Sequence, residues 1–174
     1  MRQAQIDHLV VAARSLDEAV QWCEATLGVT PGPGGEHPLM GTHNRLLNLA
    51  SAGHPASYLE LIAINPVAPN PYPARAGRWF DLDNPDLQAA LAQRGPQLVH
   101  FVASVPSISK ALSAWAAQGI DRGPALAASR QTAQGLLQWQ ISVRDDGHRL
   151  MQGCLPTLIE WSLPESTGGA SLHP

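Results

Sequence analysis

Lysine is almost missing from this chain: Lys110 is its one lysine, beside ten arginines, in 174 residues. Charged residues make up only 14% of the chain, against roughly 25% in an average globular protein. With a formal net charge of -3, there is no basic stripe to follow a phosphate backbone, which argues against a nucleic-acid partner. No apolar run approaches the length of a membrane span, so no transmembrane helix is expected. Asp7 and His8 interrupt the N-terminal region too early for a signal peptide. Cysteine is nearly absent too. Cys23 and Cys154 lie far apart with no CxxC, so both are expected as reduced thiols of a cytoplasmic protein. No GxSxG, P-loop or GxGxxG occurs, which removes the usual nucleophile and nucleotide motifs. Cys23 falls on the apolar stripe of a helix and reads as core. The chain is 44% apolar, enough to bury a core.

Glutamate is scarce as well, with six in all. Glu18, Glu24, Glu36 and Glu165 sit where water reaches them. Glu60 and Glu160 instead lie inside apolar runs, Leu59–Ile62 and Leu158–Leu163. A carboxylate among apolar neighbours is costly unless it is protonated, paired or bound to a metal.

The chain repeats a phrase. Asp7–Ala12 reads as a buried strand, followed by Ser15 and Glu18 in capping-box spacing. Leu16, Ala19, Val20, Cys23 and Leu27 then keep helical periodicity to Gly28. The strand-like Val99–Ala103 precedes Ser107, Ile108, Ala111, Leu112 and Trp115, which follow their first-half counterparts at a constant distance of 92 residues. His100 follows His8 by the same 92. The second helix ends near Gly119 and lacks the Glu of a capping box. Later strands are expected at Arg45–Ala50 and Tyr58–Ala63 in the first half. In the second they are expected at Leu136–Val143 and Leu158–Leu163, with further strands near 36–40 and 126–132. Asp146-Gly147 marks a turn. The Pro-rich Asn65–Pro73 is expected to be irregular, and Asn84-Pro85 to open a short helix ended by Gly95.

Strand side chains alternate between faces. This places His8 with Val10, Glu60 with Tyr58 and Ile62, His100 with Val102, and Glu160 with Leu158 and Ser162. Leu9/Val11, Leu59/Leu61 and Ile159/Trp161 are left to pack against helices. Each half then offers one imidazole and one carboxylate away from its helix. Two of each facing one cavity suit a divalent cation of intermediate softness, such as Zn, Ni, Co, Mn or Fe. The other readings of the four are satisfied core residues, or polar groups of a metal-free pocket paired with an Arg.

Asp7-His8-Leu9-Val10-Val11, Ser15-Leu16-Asp17-Glu18-Ala19 and Leu27-Gly28-Val29 resemble the N-terminal wording of the vicinal oxygen chelate superfamily, the glyoxalase/bleomycin-resistance/dioxygenase fold. Pro38–Asn44, Tyr58–Ile62 and Leu155–Trp161 resemble its glyoxalase-like domain branch. The resemblance runs over about residues 5–164 and implies an α+β fold of two tandem βαβββ modules, residues 1–64 and 98–164. Their curved mixed sheets would enclose a cavity. Residues 65–97 would form the Pro-rich connector with its short helix, and 165–174 a frayed tail. The resemblance also implies that His8, Glu60, His100 and Glu160 hold the metal. A full two-His/two-Glu set is similar to isomerase and lyase members of the glyoxalase I and epimerase types. There the metal stabilises an enolate of a small oxygenated substrate, and Glu60 or Glu160 moves the proton. A non-catalytic ligand-binding module is the alternative, disfavoured by the few aromatics that parity leaves for a cleft. An Fe(II) extradiol-type dioxygenase is a third reading.

The Gly41-Thr42-His43-Asn44 segment, read as a loop, is the candidate substrate contact through Thr42, His43 and Asn44. Arg75, Arg78 and Trp79 of the connector are placed to close over a ligand or to pack on the surface. His37, His54, His148 and His173 carry no case. Edge strands of such modules favour pairing, so a homodimer is expected.

Overall fold

The computed structural model describes residues 4–69, 76–132 and 135–162. The expected tail and Arg75 lie outside the described residues, as does 70–75 of the connector.

The first strand, β1 (Gln5–Ala12), leads through Ser15 into α1 (Leu16–Leu27). Ser15 caps α1 by accepting the Glu18 amide at 3.2 Å, and Gly28 ends it with φ of 72°. The box is modified, because Glu18 turns back to the Arg14 amide and guanidinium rather than to Ser15. Then come β2 (Glu36–His37), β3 (Thr42–Asn48) and β4 (Tyr58–Ile64). Helix α2 (Pro85–Arg94) is capped by Asn84, whose side chain accepts from Asp86 and Leu87. The second half runs β5 (Gln97–Ser104), α3 (Ile108–Ala116), β6 (Ala125–Thr132), β7 (Gly135–Ser142) and β8 (Thr157–Trp161).

The strands form one eight-stranded sheet in the order β2-β3-β4-β1-β5-β8-β7-β6. The two halves meet where β1 runs antiparallel to β5. In each half the first strand pairs in parallel with the last, β1 with β4 and β5 with β8. The duplicated phrase is thus a duplicated topology, and the mixed, curled α+β sheet is the one expected.

Two cores lie on opposite faces. Val11, Ala13, Ala19, Cys23, Leu59 and Leu61 pack beneath α1, as strand parity requires in the first half. Both cysteines are free; Cys23 is buried in this layer and Cys154 is exposed. On the other face Val10, Ile62, Val102, Ile141 and Ile159 pack with Trp79, Phe80, Leu82 and Leu91. The connector therefore does more than join the halves, since a short 3-10 turn, Trp79–Asp81, drives two rings into the sheet's concave side.

That turn is clamped by the Asp146-Gly147 turn. The Asp81 amide donates to Gly147 O at 3.1 Å, and the Asp81 carboxylate accepts from Arg149 N and Nε at 3.1 and 2.7 Å. Phe80 and Asp81 sit at φ of 60° and 58°, a conformation disfavoured for non-glycine residues, so the clamp holds local strain. Gly147 has φ of 70°, and a Cβ there would lie 1.9 Å from Arg78 O. Gly147→Ala is expected to cost about 3 kcal/mol or more and to loosen the Trp79–Phe80 insertion. Urea unfolding and near-ultraviolet circular dichroism check both.

Candidate active site

A narrow pocket opens on the concave face of the sheet. His8, His37, Asn44, Tyr58 and Glu60 form its polar wall, facing Trp79, Phe80, Trp139 and Trp161, with Arg130 also on the lining. Its enclosed volume is about 40 Å³, room for a few water-sized groups.

Glu60 is 5% exposed. In the β3–β4 register Asn44 pairs with Ile62 and Leu46 with Glu60, which puts Asn44 diagonally next to Glu60 on the cavity face. Asn44 Nδ2 donates to Glu60 Oε1 at 2.6 Å. The amide orientation is fixed from behind, because Asn44 Oδ1 accepts the Gly35 amide at 2.8 Å. The other carboxylate oxygen, Oε2, lies 3.6 Å from His8 Nε2.

His8 is held from its far side. Its Nδ1 lies 2.7 Å from Asp7 Oδ1, so Nδ1–H donates to that carboxylate and Nε2 faces the pocket. Trp161 Nε1 donates to Asp7 Oδ2 at 2.8 Å, and the imidazole stacks on Tyr58 with ring centroids 4.4 Å apart. Tyr58 stays a neutral phenol, since burial, with Asp7 and Glu60 nearby, holds its pKa well above the usual range.

His37 joins this group. Its Nδ1 lies 3.0 Å from Thr42 Oγ1, its Nε2 lies 3.3 Å from Asn44 Nδ2 and 3.9 Å from Glu60 Oε1. Burial pushes its pKa down against the pull of Glu60. With Asn44 Nδ2 donating to it, Nε2 is an acceptor and Nδ1–H donates to Thr42. His37 was given no role from its sequence position; only the pairing of β2 with β3 reveals it. Asp7, Tyr58 and Arg130 were likewise missed.

The predicted substrate triplet divides. Thr42 and Asn44 face the site, Thr42 through His37 and Asn44 directly. His43 points to the opposite face, near Glu36, Arg45 and Asp17. The segment is not a loop: Thr42, His43 and Asn44 pair with Ile64, Ala63 and Ile62 as the start of β3. In the connector, Trp79 lies against His37 edge-on at 5.0 Å, while Arg78 bonds Asp83.

The second half is arranged differently. His100 is on the concave face, but its Nε2 accepts the Thr157 backbone amide at 3.1 Å and lies 3.1 Å from Thr157 Oγ1. Arg122 Nη2 stands 3.4 Å from the same nitrogen and also donates to Thr157 Oγ1. Burial first, then the Arg122 and Arg149 cations, lower the His100 pKa to about 3. Glu160 does not reach the pocket. Its Oε2 accepts the Ile108 amide at 2.7 Å, so it caps α3 and takes the place of the missing capping-box Glu. This corrects the face assignment of the last strand: Thr157, Ile159 and Trp161 face the cavity side, and Glu160 faces the helix.

The register explains the shift. Val10 pairs with Glu60 across β1–β4, and Val102 pairs with Thr157 across β5–β8. Val102 is the counterpart of Val10, as His100 is of His8. The residue equivalent to Glu60 is therefore Thr157, three residues before Glu160.

The expected four-residue metal set consequently does not fit this arrangement. His8 and Glu60 meet. His100 has its free lone pair occupied by hydrogen-bond donors beside a guanidinium, and the Glu160 carboxylate serves α3. Among the described residues, no group of three or more His, Cys, Asp or Glu stands in an arrangement that could hold a metal ion.

The profile of the glyoxalase-like domain family matches residues 6–173. The chain belongs to that family, within the vicinal oxygen chelate fold. A search of curated proteins gives no match. Solved structures share the fold at low identity. A Streptomyces coelicolor methylmalonyl-CoA epimerase variant in complex with 2-nitronate-propionyl-CoA aligns at TM-score 0.55 and 18% identity over 91% of this chain and 98% of its own. Methylmalonyl-CoA epimerase in complex with methylmalonyl-CoA and NH4+ aligns at TM-score 0.57 and 18% identity over 95% and 100%. A hypothetical protein from Staphylococcus aureus aligns at TM-score 0.60 and 16% identity over 94% and 60%. No described helix is long and apolar enough to cross a membrane.

Proposed function

We propose that the protein is a proton-transfer enzyme of the epimerase/isomerase kind, which removes a proton from carbon next to a carbonyl of a small oxygenated substrate. The buried His8–Glu60 pair carries this reading. Glu60 has one oxygen steadied by Asn44, while His8 turns Nε2 toward the other oxygen at 3.6 Å. At that distance the two groups make no hydrogen bond to each other, which leaves Oε2 open to a proton from substrate. A proton taken from substrate would lie between Nε2 and Oε2 and join them. Asp7 would then support the resulting imidazolium, and Trp161 would hold Asp7 in place. The indoles of Trp79, Trp139 and Trp161 keep the pair out of bulk water, which strengthens its electrostatics.

The residues that would complete the four-ligand metal centre are engaged elsewhere, His100 with Thr157 and Arg122 and Glu160 with the start of α3. Neighbours of the same fold bind methylmalonyl-CoA and 2-nitronate-propionyl-CoA. That favours an acyl group as the reacting part, by analogy of fold only.

Deuterium wash-in is the direct test. Small 2-oxo acids, 2-hydroxy ketones and acyl thioesters would be incubated with the protein in D₂O and followed by proton NMR. At least one class is expected to lose its α-proton signal faster than in buffer. Absence of exchange from every compound that binds would remove the enzymatic reading. It would also favour the second reading, a ligand-binding module. That reading draws on the aromatic wall, which is richer than strand parity suggested because Trp161 faces inward.

A further inference from the structure

We infer that Arg130 is the anion-recognition group of this pocket, so that its ligands are small carboxylates held with the carbon that bears the labile proton toward Glu60. This rests on the reading of Glu60 as proton acceptor.

Arg130 lies on β6 and Gly35 just before β2, and these strands are at opposite ends of the sheet order. Yet a Cβ on Gly35 would fall 2.7 Å from Arg130 Cδ and 2.9 Å from its Nη1. The sheet curls far enough for the Arg130 side chain to reach from one edge strand to the segment beside the other. It is half-buried, on the lining of the pocket that contains Glu60 and His8. Its charge is felt at His37 and Tyr58 on the far wall. The carboxylates in and behind the pocket wall are already committed: Glu60 to Asn44 and beside His8, and Asp7, behind His8, to His8 and Trp161. Among the described residues, no hydrogen bond or ion pair reaches the Arg130 guanidinium.

A guanidinium presents parallel N–H donors that match one carboxylate. The nearby Glu60 and Asp7 charges disfavour a more highly charged occupant such as phosphate. The volume of about 40 Å³ suits a small ligand, and Glu60 and Arg130 line the same pocket. Held there, the guanidinium would also stabilise negative charge that develops on the carbonyl side as the proton leaves.

Three tryptophans on the lining give the readout. Intrinsic fluorescence would be titrated with propionate, pyruvate and, as neutral isostere, propionamide, with inorganic phosphate as competitor. The carboxylates are expected to bind at least tenfold more tightly than propionamide, and phosphate to compete poorly. Arg130→Gln is expected to erase the preference, Arg130→Lys to restore part of it, and Gly35→Ala, which displaces the side chain, to weaken it. Glu60→Gln is expected to retain carboxylate binding while losing proton exchange, so failure of the catalytic reading stays separate from failure of this one. Equal binding of propionate and propionamide, an unchanged preference in Arg130→Gln, or phosphate binding as tight as propionate would overturn the assignment. Circular dichroism of each variant guards against a folding defect, and Arg130→Lys keeps the test valid if Arg130→Gln is unstable.

Discussion

Glu60→Gln is expected to slow substrate α-proton exchange by roughly 10²–10⁴-fold, the usual contribution of a positioned base, while Glu160→Gln leaves it within about threefold. The two glutamates are alike in sequence context, each inside an apolar strand, so the contrast tests the geometry. Glu60 is buried with its carboxylate against Asn44 and His8. An amide in its place keeps the volume and a hydrogen bond to Asn44 but cannot accept a proton. Glu160 instead bonds the first amide of α3 at 2.7 Å. Its substitution removes a charge from a helix N-terminus and weakens one hydrogen bond, a loss of about 1 kcal/mol. Urea unfolding should show that loss in Glu160→Gln, and NMR exchange should show the kinetic loss in Glu60→Gln. Equal inactivation by both would mean that Glu160 swings into the pocket during turnover, and that the arrangement seen here is not the working one.

The outline of the fold is readable in the residues because the repeat is carried by strong local signals. Ser15 and Ser107 cap helices, Gly28 ends one, and apolar positions keep the helical period; each of these acts within a few residues. The first-half site is readable for a similar reason, since His8 and Glu60 sit on strands whose faces are set by unbroken alternation. The second half fails at a register. Leu158-Ile159-Glu160-Trp161 looks like Tyr58-Leu59-Glu60-Leu61, but the parallel pairing of β5 with β8 puts Thr157 opposite Val102. Parallel register depends on how the turn at Leu150–Gly153 delivers the chain, where Met151 and Gln152 have φ of 50° and 56°. Nothing in the local pattern announces that. His37 and Arg130 were invisible for a related reason. A two-residue strand carries no periodicity, and an arginine on an edge strand reads as solvated until the sheet is known to curl.

Stability is expected to fall on the acid side by as much as about 1.4 kcal/mol per pH unit for His100 alone, beginning near pH 6.5. His100 is 3% exposed. It is neutral in the fold because burial, reinforced by Arg122 and Arg149, holds its pKa at about 3, whereas in the unfolded chain it titrates near 6.5. Between those values the unfolded state binds the extra proton. The contribution is therefore complete above pH 6.5, declines as the pH drops, and is gone near pH 3. Over the whole window it amounts to something on the order of 5 kcal/mol. His37, also lowered by burial, steepens the slope in the upper part of the window. The carboxylates act lower down: Asp146, held at about 2 by its hydrogen bonds from Arg144, matters only as the pH passes below its ordinary value of 3.8. Urea unfolding free energies at pH 7.5, 6, 5 and 4 should show the decline, and His100→Asn should be less stable at pH 7.5 but much flatter below it. The same slope in His100→Asn as in the native chain would mean that His100 takes up its proton within the fold. In that case the Arg122–His100–Thr157 cluster would open readily rather than forming a rigid second pole of the site.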